Sequence, residues 1–186
     1  MGGECVVTRV IAGSRKGHHL EAPRGTQIRP TTDRVKEWIF SILQDVTDVR
    51  VLDLFCGTGS LGIEALSRGA LHCTFVDKTS RSVQITRENI TKLDLPHSDT
   101  EVLQLDALRF LKSTGAHFQL ILADPPYYDY SQQEALLSAA LSRLTDHGTM
   151  VLESGHLWDV PTPEGFELLR DKSFGRTHVM VYGRML

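Results

Sequence analysis

Val51-Leu52-Asp53-Leu54-Phe55-Cys56-Gly57-Thr58-Gly59-Ser60-Leu61-Gly62 begins as an apolar run of buried-strand composition, breaks into a glycine loop and continues as a helical pattern. Strand, glycine loop and helix in that order form the repeating unit of an open α/β sheet, and such sheets bind ligands at the carboxyl ends of their strands. Gly57, Gly59 and Gly62 fit G-x-G-x-x-G literally, so the loop can be read as a dinucleotide site. Asp53 argues against that reading. It precedes the first glycine by four residues, and its carboxylate would face whatever the loop holds. A pyrophosphate in contact with it would be repelled by about 1–4 kcal/mol, depending on the effective dielectric. A ligand carrying positive charge and no phosphate would be attracted.

Outward from this stretch, strand patterns near 50–55, 72–77, 101–105, 119–124 and 148–153 alternate with helical patterns near 60–68, 80–93, 107–113 and 131–144. Alternation of this kind predicts a parallel sheet with right-handed crossovers. The segments 166–170 and 177–184 have no helix between them and so predict a hairpin, which makes one edge antiparallel. Ahead of the sheet, a helix is expected from about Thr32 to Gln44. Before that helix, Thr8–Ala12 and Gly17–Ala22 read as a small hairpin whose basic turn projects. The fold class is therefore α/β: a doubly wound, mostly parallel seven-stranded sheet with an antiparallel C-terminal edge hairpin and a small N-terminal β-hairpin extension. Residues 1–31 are expected to form the basic hairpin and linker, and residues 32–186 the domain that carries the sheet.

Four of the strands end in aspartate: Asp53, Asp77, Asp106 and Asp124. Asp77 stands where an acidic side chain can take both hydroxyls of a ribose. Asp106 can bind an adenine amino group or cap the helix that follows it. Asp124 opens Asp124-Pro125-Pro126-Tyr127-Tyr128, directly after the apolar run Leu120-Ile121-Leu122-Ala123. Each proline fixes φ and lacks an N–H, so this corner is stiff and its carbonyls are free acceptors. An amino group can donate one hydrogen bond to the Asp124 carboxylate and one to the Pro125 carbonyl while Tyr127 covers a flat ring. That is a seat for a planar aromatic amine.

These residues resemble those of class I S-adenosylmethionine-dependent methyltransferases over most of residues 50–186. The resemblance implies that S-adenosylmethionine is the cofactor. Its methionine end would lie against Asp53, Phe55, Gly57, Thr58 and Gly59, its ribose at Asp77 and its adenine edge at Asp106 and Ala107. Asp124, Pro125 and Tyr127 would be catalytic. Arg9-Val10-Ile11-Ala12-Gly13, Gly17 and Arg29-Pro30-Thr31-Thr32-Asp33-Arg34-Val35-Lys36-Glu37 extend the likeness along nearly the whole chain, to the bacterial 16S ribosomal RNA guanine-N2 methyltransferase family. Methylation of a guanine N2 in small-subunit ribosomal RNA, within an assembly particle, is the implied activity. Asp77 departs from the family pattern, in which glutamate is common at that place, but either acid accepts from hydroxyls.

Charge is distributed in a way that fits an RNA partner. Residues 1–36 hold seven Lys and Arg against three acids, whereas the remaining 150 hold 13 against 20. An acidic body with a basic arm points to a polyanion met at one end. Arg9, Arg15, Lys16, Arg24, Arg29 and Arg34, with Tyr128, are the candidate RNA contacts. No run approaches 18 apolar residues, so a helical membrane span is not expected. Cys5, Cys56 and Cys73 form no C-x-x-C pair and the eight histidines no H-x-x-x-H, so no metal is expected. Cys56 reads as a small packing residue of the loop rather than a nucleophile. A cytoplasmic monomer without a signal peptide is anticipated. Three other functions use parts of the same pattern. An oxidoreductase would use the glycines but leaves Asp53 and the Pro-Pro corner without a role. An adenine-N6 or protein-amide methyltransferase would use the same corner. A non-catalytic RNA-binding module would need only the basic arm.

Overall fold

The computed structural model describes residues 8–22, 31–126, 128–155, 158 and 160–185. Its elements run α1 (Asp33–Leu43), β1 (Arg50–Leu54), α2 (Ser60–Ser67), β2 (His72–Asp77), α3 (Ser80–Lys92), β3 (Thr100–Gln104), α4 (Ala107–Ser113), β4 (Phe118–Ala123), α5 (Tyr130–Leu141), β5 (Leu144–Ser154), β6 (Phe166–Phe174) and β7 (Thr177–Arg184). The strands form one seven-stranded sheet in the order β3-β2-β1-β4-β5-β7-β6. Strands β1 to β5 are mutually parallel, while β7 runs antiparallel to both β5 and β6. This is the sheet expected from the sequence, with the order reversing between β1 and β4. At that reversal the crossover helices leave to opposite faces and open a crevice.

Alternation along the strands sorts the core into two layers. Val51, Phe75, Leu120, Leu122, Val151 and Val181 face α1, α2 and α3. Leu52, Leu54, Val76, Ile121, Leu152 and Met180 face α4 and α5. Boundaries differ from the sequence reading in two places. Strand β5 begins at Leu144 instead of near 148, because the stretch that reads as a loop is carried into the sheet across a register irregularity opposite Phe118–Leu120. Strand β6 extends to Phe174 and is almost wholly exposed, as an edge strand carrying Arg170, Asp171 and Lys172 can be.

The third glycine of the loop is a packing device. A β-carbon at Gly62 would lie 2.4 Å from Phe75 Cε1 and 2.6 Å from Cys73 Sγ, so only a bare α-carbon lets α2 lie this close to β2. Gly62→Ala is expected to cost about 1–3 kcal/mol through overpacking. Urea denaturation reads that loss directly, and unchanged stability would show that the strand yields freely.

Residues 8–22 double back as expected but with little regular structure. There is a single bridge, Arg9 to His19, supported by Val10 N–H to the His18 carbonyl at 2.9 Å and Leu20 N–H to the Thr8 carbonyl at 2.8 Å. The turn does not project. Ser14 N–H donates to the Ser67 carbonyl and Arg15 N–H to Ser67 Oγ, which fastens Gly13–Lys16 onto the end of α2. Behind it, the Glu64 carboxylate accepts from Ile11 N–H at 2.7 Å, Ala12 N–H at 3.0 Å and Arg68 Nε at 2.8 Å. Lys36 Nζ lies 4.0 Å from the same carboxylate, and both side chains are fully buried. Lys36 also donates to the Arg9 carbonyl. Burial pulls the Lys36 ammonium below the usual lysine range, and the Glu64 charge opposes that fall. Sequence patterning offered no reason to expect this buried network, since exposed and buried charges look alike in a sequence.

Candidate functional site

A cavity of about 490 Å³ opens at the carboxyl ends of β1, β2, β4 and β5, where the sheet order reverses. Its wall is the glycine loop. Phe55, Gly57 and Gly59 all have positive φ, at 58°, 57° and 76°. Phe55 is the notable one, because a bulky residue rarely adopts that region outside strained turns. The carbonyls of the loop turn away from the cavity to α3. Gly57 O accepts from Thr86 Oγ1 at 3.1 Å, and Thr58 O accepts from Asn89 Nδ2 at 2.9 Å. Asn89 is fully buried and also exchanges hydrogen bonds with the backbone of Glu21, so it ties the N-terminal segment to the loop.

Helix α2 starts at the cavity wall. Its first-turn N–H groups have no intrahelical partners, and one of them, at Gly62, donates to Asp53 Oδ2 at 2.9 Å. Ser60 Oγ, buried in the cavity wall, has no partner among the described residues. Asp77 Oδ2 accepts from Gly57 N–H at 3.1 Å, while Oδ1 accepts from Thr79 N–H and Thr79 Oγ1. Asp77 therefore braces the loop and lines the cavity at once.

Three carboxyl groups share one face of the sheet on neighbouring strands. Asp53 belongs to β1, Asp124 follows Ala123 of β4, and Glu153 lies on β5 beside the position after Ala123. All three line the cavity. Burial pushes Asp53 up to about 7, against the lowering effect of the Gly62 hydrogen bond. Burial also pushes Asp124 well above the ordinary carboxylate range, and the charges of Glu153 and Asp53 push it further. Such a cluster is destabilised by its own charge until a cation enters. Cys56 lines the same cavity, but burial holds its thiol well above the usual range, so it stays a protonated packing group.

Pro125 is buried and Pro126 exposed, and both line the cavity beside Asp124. Tyr127, Arg24 and Arg29 lie outside the described residues, as does Met1–Val7. Phe55 and Thr58 line the cavity, whereas Asp106 and Ala107 stand at the head of α4 and do not. Asp106 Oδ1 caps that helix by accepting from Arg109 N–H at 3.0 Å. Tyr128 packs edge-on against Phe55, with ring centroids 5.9 Å apart, and the Asp106 charge helps burial raise its phenol.

Among the described residues, several of the candidate RNA contacts already have partners within the protein. Arg9 Nε pairs with Asp33 at 2.8 Å. Arg15 spends Nε on the Leu93 carbonyl and Nη2 on the Asp94 carbonyl, behind α3. Lys16 is exposed on that same turn, and Arg34 lies over the Phe174 ring. Glu153, Thr31 and Ser60 were missed. The signal for Glu153 was present, since a fifth strand pattern ends there in an acid just as four end in aspartate. Thr31 Oγ1 donates to Glu153 Oε2 at 2.7 Å across 122 positions, which no local pattern reveals.

A family model described as Conserved hypothetical protein 95 matches residues 8–183. The chain is 39% identical over 180 residues to "Putative rRNA methyltransferase YlbH" of Bacillus subtilis (strain 168), covering 94% of this chain and 97% of that one. It is 32% identical over 184 residues to "Ribosomal RNA small subunit methyltransferase D" of Escherichia coli (strain K12), covering 95% and 89%. Among solved structures, "Putative methyltransferase yhhF" from Escherichia coli superimposes with a TM-score of 0.84 at 30% identity, covering 96% of this chain and 98% of that one.

Proposed function

We propose, given that the chain belongs to the Conserved hypothetical protein 95 family, that it transfers a methyl group from S-adenosylmethionine to the exocyclic N2 amine of a guanine in 16S ribosomal RNA. One observation carries the reading: a single cavity joins a glycine loop with an acidic floor to the Asp124-Pro125-Pro126 corner. The names of the relatives support RNA of the small ribosomal subunit as substrate. Action on the assembled particle by a cytoplasmic monomer is part of the same proposal.

The residues present fit the cofactor. Ser60 Oγ is a buried polar atom without a partner among the described residues, and the α2 amino end beside it favours a carboxylate. Asp53 favours a sulfonium and an ammonium. Asp77 offers lone pairs to a ribose while keeping its bonds to Gly57 and Thr79. S-adenosylmethionine, when bound, supplies a methyl group made electrophilic by its sulfonium, and becomes a neutral thioether on transfer.

The amine is a weak nucleophile because its lone pair is shared with the guanine ring. Asp124 and the Pro125 carbonyl, by accepting its two N–H bonds, favour the tetrahedral geometry that frees the lone pair and stabilise the charge that develops. The stiffness of the Pro-Pro corner holds those acceptors in place. The amine loses one proton as it gains the methyl, and the Asp124 carboxylate is the acceptor nearest to it in this arrangement. Tyr127 is assigned the stacking role on the flipped base, worth about 1–3 kcal/mol. Incubating unmodified 16S ribosomal RNA particles with labelled S-adenosylmethionine and identifying the product nucleoside by mass spectrometry tests the proposal. N2-methylguanosine is expected. Label in an adenine or in protein would redirect it, and no transfer at all would overturn it.

The raised Asp53 carboxyl gives a pH signature. Its folded value of about 7 exceeds its ordinary 3.8, so its contribution to stability is complete below about 4 and is lost as pH rises to about 7. A cation favours the ionised form. Cofactor affinity is therefore expected to rise across that same window, with protons released on binding. Calorimetry in two buffers of different ionisation enthalpy reads the release directly. Pure buffer-independent heat at pH 6 would remove Asp53 from the cofactor site.

A further inference from the structure

A second cavity, of about 360 Å³, is lined by Thr32, Arg34, Lys172, Ser173, Phe174 and Gly175. It lies on the active edge of the sheet for a topological reason. Because β7 runs antiparallel to β5, its first residues, Thr177 and His178, sit beside Ser154 at the carboxyl end of β5. The turn joining β6 to β7 must then emerge on the same edge as the main cavity. On one side the two cavities are separated by the step from Thr31 to Thr32, and on the other by the step from Thr177 to Gly175.

The chemistry of this second cavity suits a nucleotide. Lys172 Nζ stands 5.3 Å from the ring centroids of both Trp38 and Phe174, and Arg34 Cζ stands 5.9 Å from that of Phe174. Trp38 and Phe174 meet edge to face at 5.4 Å, so each ring is fixed in orientation. Arg34, Lys172 and Arg176 are exposed cations, and Ser173 Oγ pairs with His178 Nδ1 at 3.0 Å to add polar groups on the rim. Glu37 is exposed one turn along α1 from Arg34, and Asp33 is already held by Arg9. Aromatic faces interleaved with cations are the usual equipment for single-stranded nucleic acid: the cations meet phosphates and the rings stack on bases without regard to sequence.

We infer that this cavity, formed by α1 and the β6–β7 turn, holds the nucleotide that flanks the target guanine in the RNA strand. The inference rests on the RNA reading proposed above. Arg34 and Lys172 take the phosphate between the two nucleotides, and Phe174 offers its face to the neighbouring base. Anchoring one neighbour fixes the strand at the mouth of the main cavity, which is what a flipped base needs in order to meet the methyl group in line.

The test compares wild type with Arg34→Ala/Lys172→Ala and with Phe174→Leu, which keeps apolar packing but removes the ring. The probe is the unmodified 16S ribosomal RNA particle titrated against potassium chloride, with thermal melting and S-adenosylmethionine calorimetry on each variant. The double variant should bind RNA more weakly and show a log–log salt slope shallower by about one, because the one phosphate that both cations hold is no longer neutralised. Phe174→Leu should lose about 5- to 150-fold in RNA affinity with the slope unchanged, as expected when stacking and not charge is removed. Cofactor affinity should stay at the wild-type value in both. If wild type binds and methylates RNA while the double variant matches it across the titration, the inference fails and the proposed function stands. Failure of wild type itself to bind or methylate RNA overturns the proposed function first. Should Phe174→Leu melt early, the slope of the double variant alone decides.

Discussion

Asp124→Asn is expected to reduce methyl transfer by about 100- to 1000-fold, the loss seen when one preorganised polar partner of a developing charge is removed. Cofactor affinity should change by no more than a few-fold, because Asp124 serves the acceptor amine and Asp53, Asp77 and the loop still hold the cofactor. Stability should not fall. Burial and the charges of Glu153 and Asp53 all act against an ionised Asp124, so an uncharged isostere relieves repulsion. The combination of an inactive enzyme, a bound cofactor and an undiminished melting temperature marks a site that keeps strain for chemistry. Single-turnover transfer measured beside thermal melting checks it. A variant that retains a tenth of wild-type turnover would remove Asp124 from the role assigned to it.

Glu64→Ala should be the most damaging substitution for the fold. It leaves the Lys36 ammonium buried without its nearest counter-charge and withdraws the acceptor of Ile11 N–H, Ala12 N–H and Arg68 Nε. Breaking a buried pair from one side costs about 3–5 kcal/mol, a large share of the stability of a domain of this size. The loss should be seen by urea denaturation and, by hydrogen exchange, should expose residues 8–22 first. Replacing both partners, Lys36→Met with Glu64→Gln, should recover part of it, since no lone charge remains buried. A Glu64→Ala protein as stable as wild type would mean that water reaches Lys36 and that the arm is held by its apolar residues, Val10 and Leu20, alone.

The sheet was legible because its strands are short apolar runs that end in polar turns and alternate with helices, a pattern set by burial on both faces. The glycine loop and the Asp124-Pro125-Pro126 corner were legible because their chemistry is contiguous along the chain. Asp106 shows the limit of that reading: an aspartate before a helix looks the same whether it meets a ligand or caps the helix, and here it caps α4. Arg15 shows another, since a cation in a glycine turn reads as solvent-facing, yet its guanidinium is held by the Leu93 and Asp94 carbonyls.

By itself the sequence determined the doubly wound sheet, its antiparallel edge, the place of the cavity and most of the acids around it, because local periodicity and turn chemistry carry that information. Tertiary structure alone decided which charges are buried and what they face. Glu153 meets Thr31 across 122 positions, Glu64 reaches the backbone of Ile11 from α2, and Lys172 comes beside Arg34 only because β7 turns back against β5. Contacts of this kind depend on chain reversals that join distant segments, and the energy of each depends on solvent exclusion. Neither is a property of any local stretch of residues.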